Sequence, residues 1–72
     1  MFLREKAETN YLPKVTESSI KKKIQQLRDE KRIFYKIYIS AQIFLDKGFP
    51  AEIEGIKLFP FNELETNEIK VI

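Results

Sequence analysis

Residues 33–50, IFYKIYISAQIFLDKGFP, decide which fold this chain adopts. A helix continued through them would be apolar nearly all round, and such a helix must be buried on every side. A chain of 72 residues can hardly enclose one by itself. The β-branched and aromatic run IFYKIYI equally allows a strand over residues 33–39. Either the helix is enclosed by a second copy of the chain, or it breaks near residues 33–36.

The stretch before it predicts an amphipathic helix over residues 17–32. Apolar residues recur at i, i+4 and i+7 from Ile20, while nearly all other positions are charged or polar. The side chain of Thr16 or of Ser18 can cap the first turn.

The stretch after it predicts a helix end followed by a β-ribbon. Gly48 and then Pro50 stop a helix, so residues 40–47 at least are helical. The partly alternating run AEIEGIKLF then forms strands, with Gly55 at a turn or bulge. Pro60 ends this run or places it at a sheet edge, and EIKVI closes the chain as a strand.

Together these segments predict one small α+β domain over residues 1–72. Residues 1–15 form an arm or short strand, residues 16–47 are helical, and residues 48–72 form a small antiparallel ribbon and a last strand. The first segment is anchored by Phe2, Leu3, Tyr11 and Leu12.

The residue inventory argues against catalysis. The chain has no Cys, no His and only two Gly. Disulfides, zinc fingers and thiolate chemistry are therefore excluded, nucleophilic triads lack their usual base, and no phosphate-binding loop is present. We expect no enzyme, no cofactor and no metal site.

Charge is unevenly placed along the chain. Residues 1–36 hold ten Lys/Arg and five Asp/Glu (+5), and residues 37–72 hold three Lys and six Asp/Glu (−3), which gives the net charge of +2. Either the basic half contacts nucleic acid or a partner, or the two halves attract each other within the fold.

No membrane segment is expected. The first ten residues, MFLREKAETN, lack an apolar signal core, and the apolar run 33–45 is interrupted by Lys36, Ser40 and Gln42. We expect a cytoplasmic protein that does not bind membranes.

The basic flank of the first helix is a candidate DNA-binding surface. Ammonium and guanidinium groups at helical spacing follow phosphates, and a glutamine reads a base edge. The alternative is an ordinary solvated face. The candidate contacts are Lys21, Lys22, Gln25, Arg28, Arg32 and Lys36.

Residues 40–65, SAQIFLDKGFPAEIEGIKLFPFNELE, resemble the second half of excisionase-type members of the MerR-like winged-helix superfamily. The matching residues are Gly48, Phe49, Pro50, Ile53, Gly55, Phe59, Glu63 and Leu64. The resemblance implies a winged-helix-like DNA-binding fold with Gly55 at the wing tip and Phe59 packed inward beneath it. The wing carries Glu52 and Glu54 against a lone Lys57, which indicates that it packs or pairs rather than touching DNA. An ordinary β-hairpin fits the same residues.

A second, rival alignment with winged-helix proteins uses residues 16–33, TESSIKKKIQQLRDEKRI. They are similar to the recognition helices of winged-helix repressors.

Two functions remain. The first is a small DNA-binding regulator of transcription, of the kind that phages and mobile elements encode. The second is a protein–protein interaction module, an inhibitor or assembly adaptor, that docks through its apolar segment and acidic ribbon. The apolar excess of residues 33–45 predicts a homodimer or larger, with Phe34, Ile37, Tyr38 and Phe44 at the oligomer interface.

Overall fold

The computed structural model describes residues 8–72. The elements are β1 (Glu8–Tyr11), α1 (Glu17–Asp29), β2 (Lys36–Ser40), α2 (Ala41–Asp46), β3 (Glu52–Ile53), β4 (Ile56–Phe61) and β5 (Glu68–Val71). The chain is a small α+β protein, as predicted. Its five-stranded mixed sheet is larger than the ribbon expected from the sequence. The stretch that the sequence allowed to be either helix or strand contains strand β2. This strand interrupts residues 16–47, which were predicted to be helical.

The strands lie in the order β1-β5-β2-β4-β3. Strand β5 pairs antiparallel with both β1 and β2, so β1 and β2 run parallel to each other and α1 is the crossover between them. Strand β2 also pairs in parallel with β4, and β3 forms a short hairpin with β4. Phe2 and Leu3 lie outside the described residues. Tyr11 is exposed, and Leu12 packs against the core.

Helix α1 covers one face of the sheet and forms the core with it. Its side chains Ile20, Ile24 and Leu27 are buried, as the sequence period predicted. The buried sheet residues that meet them are Ile37, Ile39, Ile53, Ile56, Leu58, Ile69 and Val71.

The cap of α1 is Thr16 rather than Ser18. The Thr16 hydroxyl accepts a hydrogen bond from the backbone N–H of Ser19 at 3.1 Å, and the Ser19 hydroxyl accepts one from the N–H of Thr16 at 2.8 Å. This reciprocal pair satisfies two amides at the helix start.

Helix α1 ends at Asp29, before the predicted end at residue 32. The Arg32 N–H donates to the Leu27 carbonyl at 3.0 Å, and the Lys31 N–H donates to the Arg28 carbonyl at 2.9 Å. This is a Schellman motif in which Lys31 takes the left-handed position, at φ 58°. A lysine there gives no sequence signal for a helix end, because glycine is the usual occupant.

Helix α2 ends by the same motif at the predicted glycine. Gly48 has φ 61°, and the Phe49 N–H donates to the Phe44 carbonyl at 3.1 Å. The rings of Phe44 and Phe49 stack with their centroids 6.3 Å apart, and Phe49 is buried. The cap therefore also fixes α2 to the core.

The β3–β4 hairpin turns on two residues. Glu54 and Gly55 have φ values of 53° and 81°, and positive φ at both central positions is what a type I′ turn requires. The Arg28 side chain donates a hydrogen bond to the Glu54 carbonyl. Gly55 therefore lies at the turn, as the sequence predicted.

Pro60 lies inside β4, opposite Ile39 of β2. The N–H of Leu58 points toward β3, since it donates to the Ala51 carbonyl at 2.9 Å. The nitrogen of Pro60, two residues on, faces the same side, at a level that lies before the first residue of β3, Glu52. The lack of an N–H at Pro60 therefore breaks no hydrogen bond between paired strands.

We expect Gly55→Val to lower the free energy of unfolding by roughly 1–2 kcal/mol, because a β-branched residue is strained at this φ. The cost is conformational, since an added Cβ meets only the far end of the Arg28 side chain at 4.0 Å. The matched change Glu54→Asn should raise stability by a few tenths to about 1 kcal/mol, because Asn-Gly is the preferred type I′ pair. Urea denaturation measures both. Equal destabilisation by the two changes would contradict this turn assignment.

Candidate nucleic-acid interface

The sheet face opposite α1 carries rings and charges instead of aliphatic side chains. We call it the open face, because its residues are exposed or half-buried, whereas the residues that alternate with them in the centre of the sheet are buried, namely Ile37, Ile39, Ile56, Leu58, Ile69 and Val71. Its residues are Thr9 and Tyr11 of β1, Glu68 and Lys70 of β5, Lys36 and Tyr38 of β2, Lys57, Phe59 and Phe61 of β4, and Glu52 of β3.

Two matched triplets form the centre of this face. Residues 36–38, KIY, pair with residues 57–59, KLF, in register across the parallel strands. The middle residues, Ile37 and Leu58, are buried against α1. Because side chains alternate between faces along a strand, lysine lies beside lysine and ring lies beside ring on the open face.

The rings form one cluster. Tyr38 lies 5.9 Å from Phe59 and 5.5 Å from Phe61, measured between centroids, which is within the range of attractive aromatic pairs. Tyr38 and Phe61 are half-buried, and Phe59 keeps 40% of its surface exposed. The cluster offers an apolar, aromatic platform at the surface.

Three lysines border the rings. Lys36 and Lys57 are directly opposite each other, and Lys70 is opposite Tyr38. The Lys36 ammonium lies 5.7 Å from the centroid of the Tyr38 ring, in range of a cation–π contact. Like charges directly opposite each other destabilise a sheet. A bound anion would remove this repulsion.

The two acidic residues of the open face lie beside this centre, on the neighbouring strands β3 and β5. Glu52 is opposite Lys57 on the short edge strand β3. Glu68 is opposite Tyr11, and its carboxylate accepts a hydrogen bond from the backbone N–H of Glu65 at 3.1 Å. With three lysines and two glutamates, the open face has a net charge of +1 (3 − 2).

The residues predicted to contact DNA do not form one surface. Lys21, Lys22 and Gln25 are exposed on α1, on the opposite side of the sheet from the open face. Lys36 was placed on the same helical flank, and that placement is wrong, because it lies on β2 beside the rings.

The two predicted arginines make contacts within the fold. Arg28 donates to the Glu54 carbonyl, and so holds the β3–β4 turn. Arg32 forms an ion pair with Glu8 of β1, with Nη1 and Oε1 2.8 Å apart, and a longer one of 3.8 Å with Glu30. Phosphate contact by either side chain would compete with these partners.

The predicted oligomer interface is divided between the core and the open face. Ile37 has no exposed surface, so its assignment to an interface is wrong. Phe34 and Phe44 are half-buried and pack against the core, whereas Tyr38 lies on the open face. A single chain thus covers most of the apolar side chains of residues 33–45, on which the prediction of a homodimer was based.

The open face includes residues that the sequence reasoning missed. Lys57, Lys70, Phe59 and Phe61 were not assigned to a site, and Phe59 was wrongly predicted to pack inward. The repeated pattern of lysine, aliphatic residue and ring in KIY and KLF is the signal that could have found them.

A cleft of about 60 Å³ lies near the end of α1, next to Leu27, Arg32 and Phe34. Sites for small molecules usually enclose about 300–1,000 Å³, so the cleft is too small for one.

The comparisons with known proteins give no relative: no family model, curated protein or solved structure matches this chain. Within residues 8–72, neither helix has the length and apolar character needed to cross a membrane.

Proposed function

We propose that this protein is a small non-enzymatic nucleic-acid-binding protein that binds through the open face of its sheet. One observation carries the proposal: a cluster of partly exposed rings is bordered by Lys36, Lys57 and Lys70. Lysines supply affinity for phosphates, and aromatic rings supply a stacking surface for bases.

The open face supports this function better than the predicted surface on α1. The helix offers the exposed Lys21 and Lys22, whereas Arg28 and, beyond the helix end, Arg32 are paired within the fold. A regulatory role of the excisionase type, with a winged-helix-like use of the hairpin, is the further expectation that the sequence resemblance implies. The similarity of residues 16–33 to winged-helix recognition helices assigns DNA contact to α1, and this is an alternative outcome of the test below.

The alternative of a protein-docking module has less support. The apolar segment through which such a module would dock contributes to the protein's own core, because Ile37 and Ile39 are fully buried. Ile33 and Leu45, with 83% and 76% of their surfaces exposed, lie in different segments, before β2 and within α2.

Two charge-matched variants test the proposal. Lys36→Gln/Lys57→Gln removes two positive charges from the open face, and Lys21→Gln/Lys22→Gln removes two from α1. Binding is measured by fluorescence anisotropy with a labelled random-sequence DNA of about 12 nucleotides, between about 50 and 200 mM salt. We expect the sheet variant to weaken binding by on the order of tenfold at low salt. It should also reduce the salt slope by roughly 0.7–0.9 for each lysine.

The helix variant should bind nearly as the unchanged protein does. If it loses affinity while the sheet variant keeps it, the interface is α1 and the proposal is wrong. If the unchanged protein binds no nucleic acid even at low salt, the docking alternative replaces it.

A further inference from the structure

The rings on the open face bear on which form of nucleic acid it binds. We infer that the ligand is a single strand, with bases stacked on Tyr38, Phe59 and Phe61 and phosphates held by Lys36, Lys57 and Lys70. This inference rests on the proposed function and specifies its substrate class.

The open face is ordered in rows across the sheet. One row holds Lys36, Lys57 and, at the sheet edge, Glu52, as partners on neighbouring strands. The next holds Lys70, Tyr38 and Phe59, again as partners on neighbouring strands. The third holds the partners Tyr11 and Glu68 and ends at Phe61, the partner of Ser40. Successive rows are two residues apart along a strand, or about 6.6 Å. Along β2 and β4, a pair of lysines is therefore followed by a pair of rings.

This order matches the two sides of an unpaired strand. A nucleotide chain has a charged backbone on one side and flat bases on the other. With the phosphates along the row of Lys36 and Lys57, the bases extend toward Tyr38, Phe59 and Phe61. In a duplex the bases are already stacked on one another, so their faces cannot reach the rings. Phosphate contacts alone would leave the ring cluster unused.

The rings are also accessible in the way that stacking needs. Phe59 keeps 40% of its surface exposed, and the tilt of 59° between its ring and that of Tyr38 leaves the two rings out of parallel contact. Aromatic platforms of this kind accept many sequences, because every base has a flat face. Both DNA and RNA strands share this chemistry.

The test compares single-stranded with double-stranded nucleic acid, and the unchanged protein with variants that lack one aromatic ring. Labelled strands of about 12 thymidines, the same length of uridines, and a duplex of equal length are titrated against the protein. The ring variants are Phe59→Leu and Tyr38→Leu, which keep an apolar side chain and remove the ring. Tyr35→Leu is the control, because that ring is exposed outside the strand.

We expect at least one single strand to bind about tenfold or more tightly than the duplex. Each ring variant should weaken strand binding by at least about fivefold, the low end of the stacking contribution of one base. The salt slope should stay unchanged, because no phosphate contact is lost. The control should bind as the unchanged protein does.

Other results overturn the inference in distinguishable ways. If duplex binds as tightly as strand and the ring variants change nothing, while the sheet lysines still matter, the proposed function stands and the single-strand inference fails. If neither rings nor sheet lysines matter, both fail. If the ring variants convert a dimer to a monomer in sedimentation without changing strand binding, the open face is an interface between copies, and the inference fails.

Discussion

Ile37→Thr should lower the free energy of unfolding by about 3 kcal/mol or more, whereas Tyr38→Thr, one position along the same strand, should lower it by about 1 kcal/mol. Ile37 is fully buried between the sheet and α1. The change removes roughly two buried carbons and buries a hydroxyl in apolar surroundings. Tyr38 lies on the open face, where a hydroxyl reaches water. Both changes introduce threonine, so the β-propensity of the new residue is the same at the two positions.

The measurement is urea denaturation followed by far-UV circular dichroism. A domain of 72 residues is expected to have a stability of on the order of 4–11 kcal/mol, so the loss at Ile37 is a large share of the total. Equal losses at the two positions would mean that the faces of β2 have been assigned wrongly, and with them the candidate interface.

Phe49→Ala should cost about 3–5 kcal/mol, and Phe59→Ala about 1 kcal/mol. Phe49 is buried and stacks on Phe44 at the end of α2, so its loss leaves a cavity and frees the helix. Phe59 is partly exposed and makes its ring contact with Tyr38 on the open face.

Thermal unfolding makes the contrast visible. For a domain of this size each kcal/mol shifts the melting temperature by about 4–8 °C, so Phe49→Ala should melt at least about 12 °C lower. Phe59→Ala is the matched control for loss of a ring. A Phe59 variant that melts as low as the Phe49 variant would show that Phe59 belongs to the core.

Local patterns predicted the elements that depend on local chemistry. The apolar period placed α1, and Gly48 and Gly55 marked the positions that require positive φ. The early end of α1 escaped prediction, because Lys31 takes a left-handed conformation usually left to glycine. The pairing of β2 with β4 and of β5 with β1 joins distant segments, and no short window of sequence carries that information.

The candidate interface was harder to predict than the fold, since it depends on strand register. In IKLFPF of β4, apolar residues stand at adjacent positions, so alternation alone did not decide whether Leu58 or Phe59 faces inward. The partnership of Lys36 with Lys57 exists only once β2 and β4 are paired in parallel. Charge asymmetry led instead to α1, where a basic run is visible without any tertiary structure.

The insertion of β5 between β1 and β2 has a consequence for folding kinetics. Of the described elements β5 is synthesised last, yet it is the strand that joins β1 to the rest of the sheet. Glu8 pairs with Val71, 63 positions along the chain (71 − 8), and contacts of such high contact order slow folding because a long loop must close first. Until β5 arrives, a nascent chain keeps strand edges unpaired. We therefore expect folding to be slow for a domain of this size and to be completed only after residues 68–71 have been made.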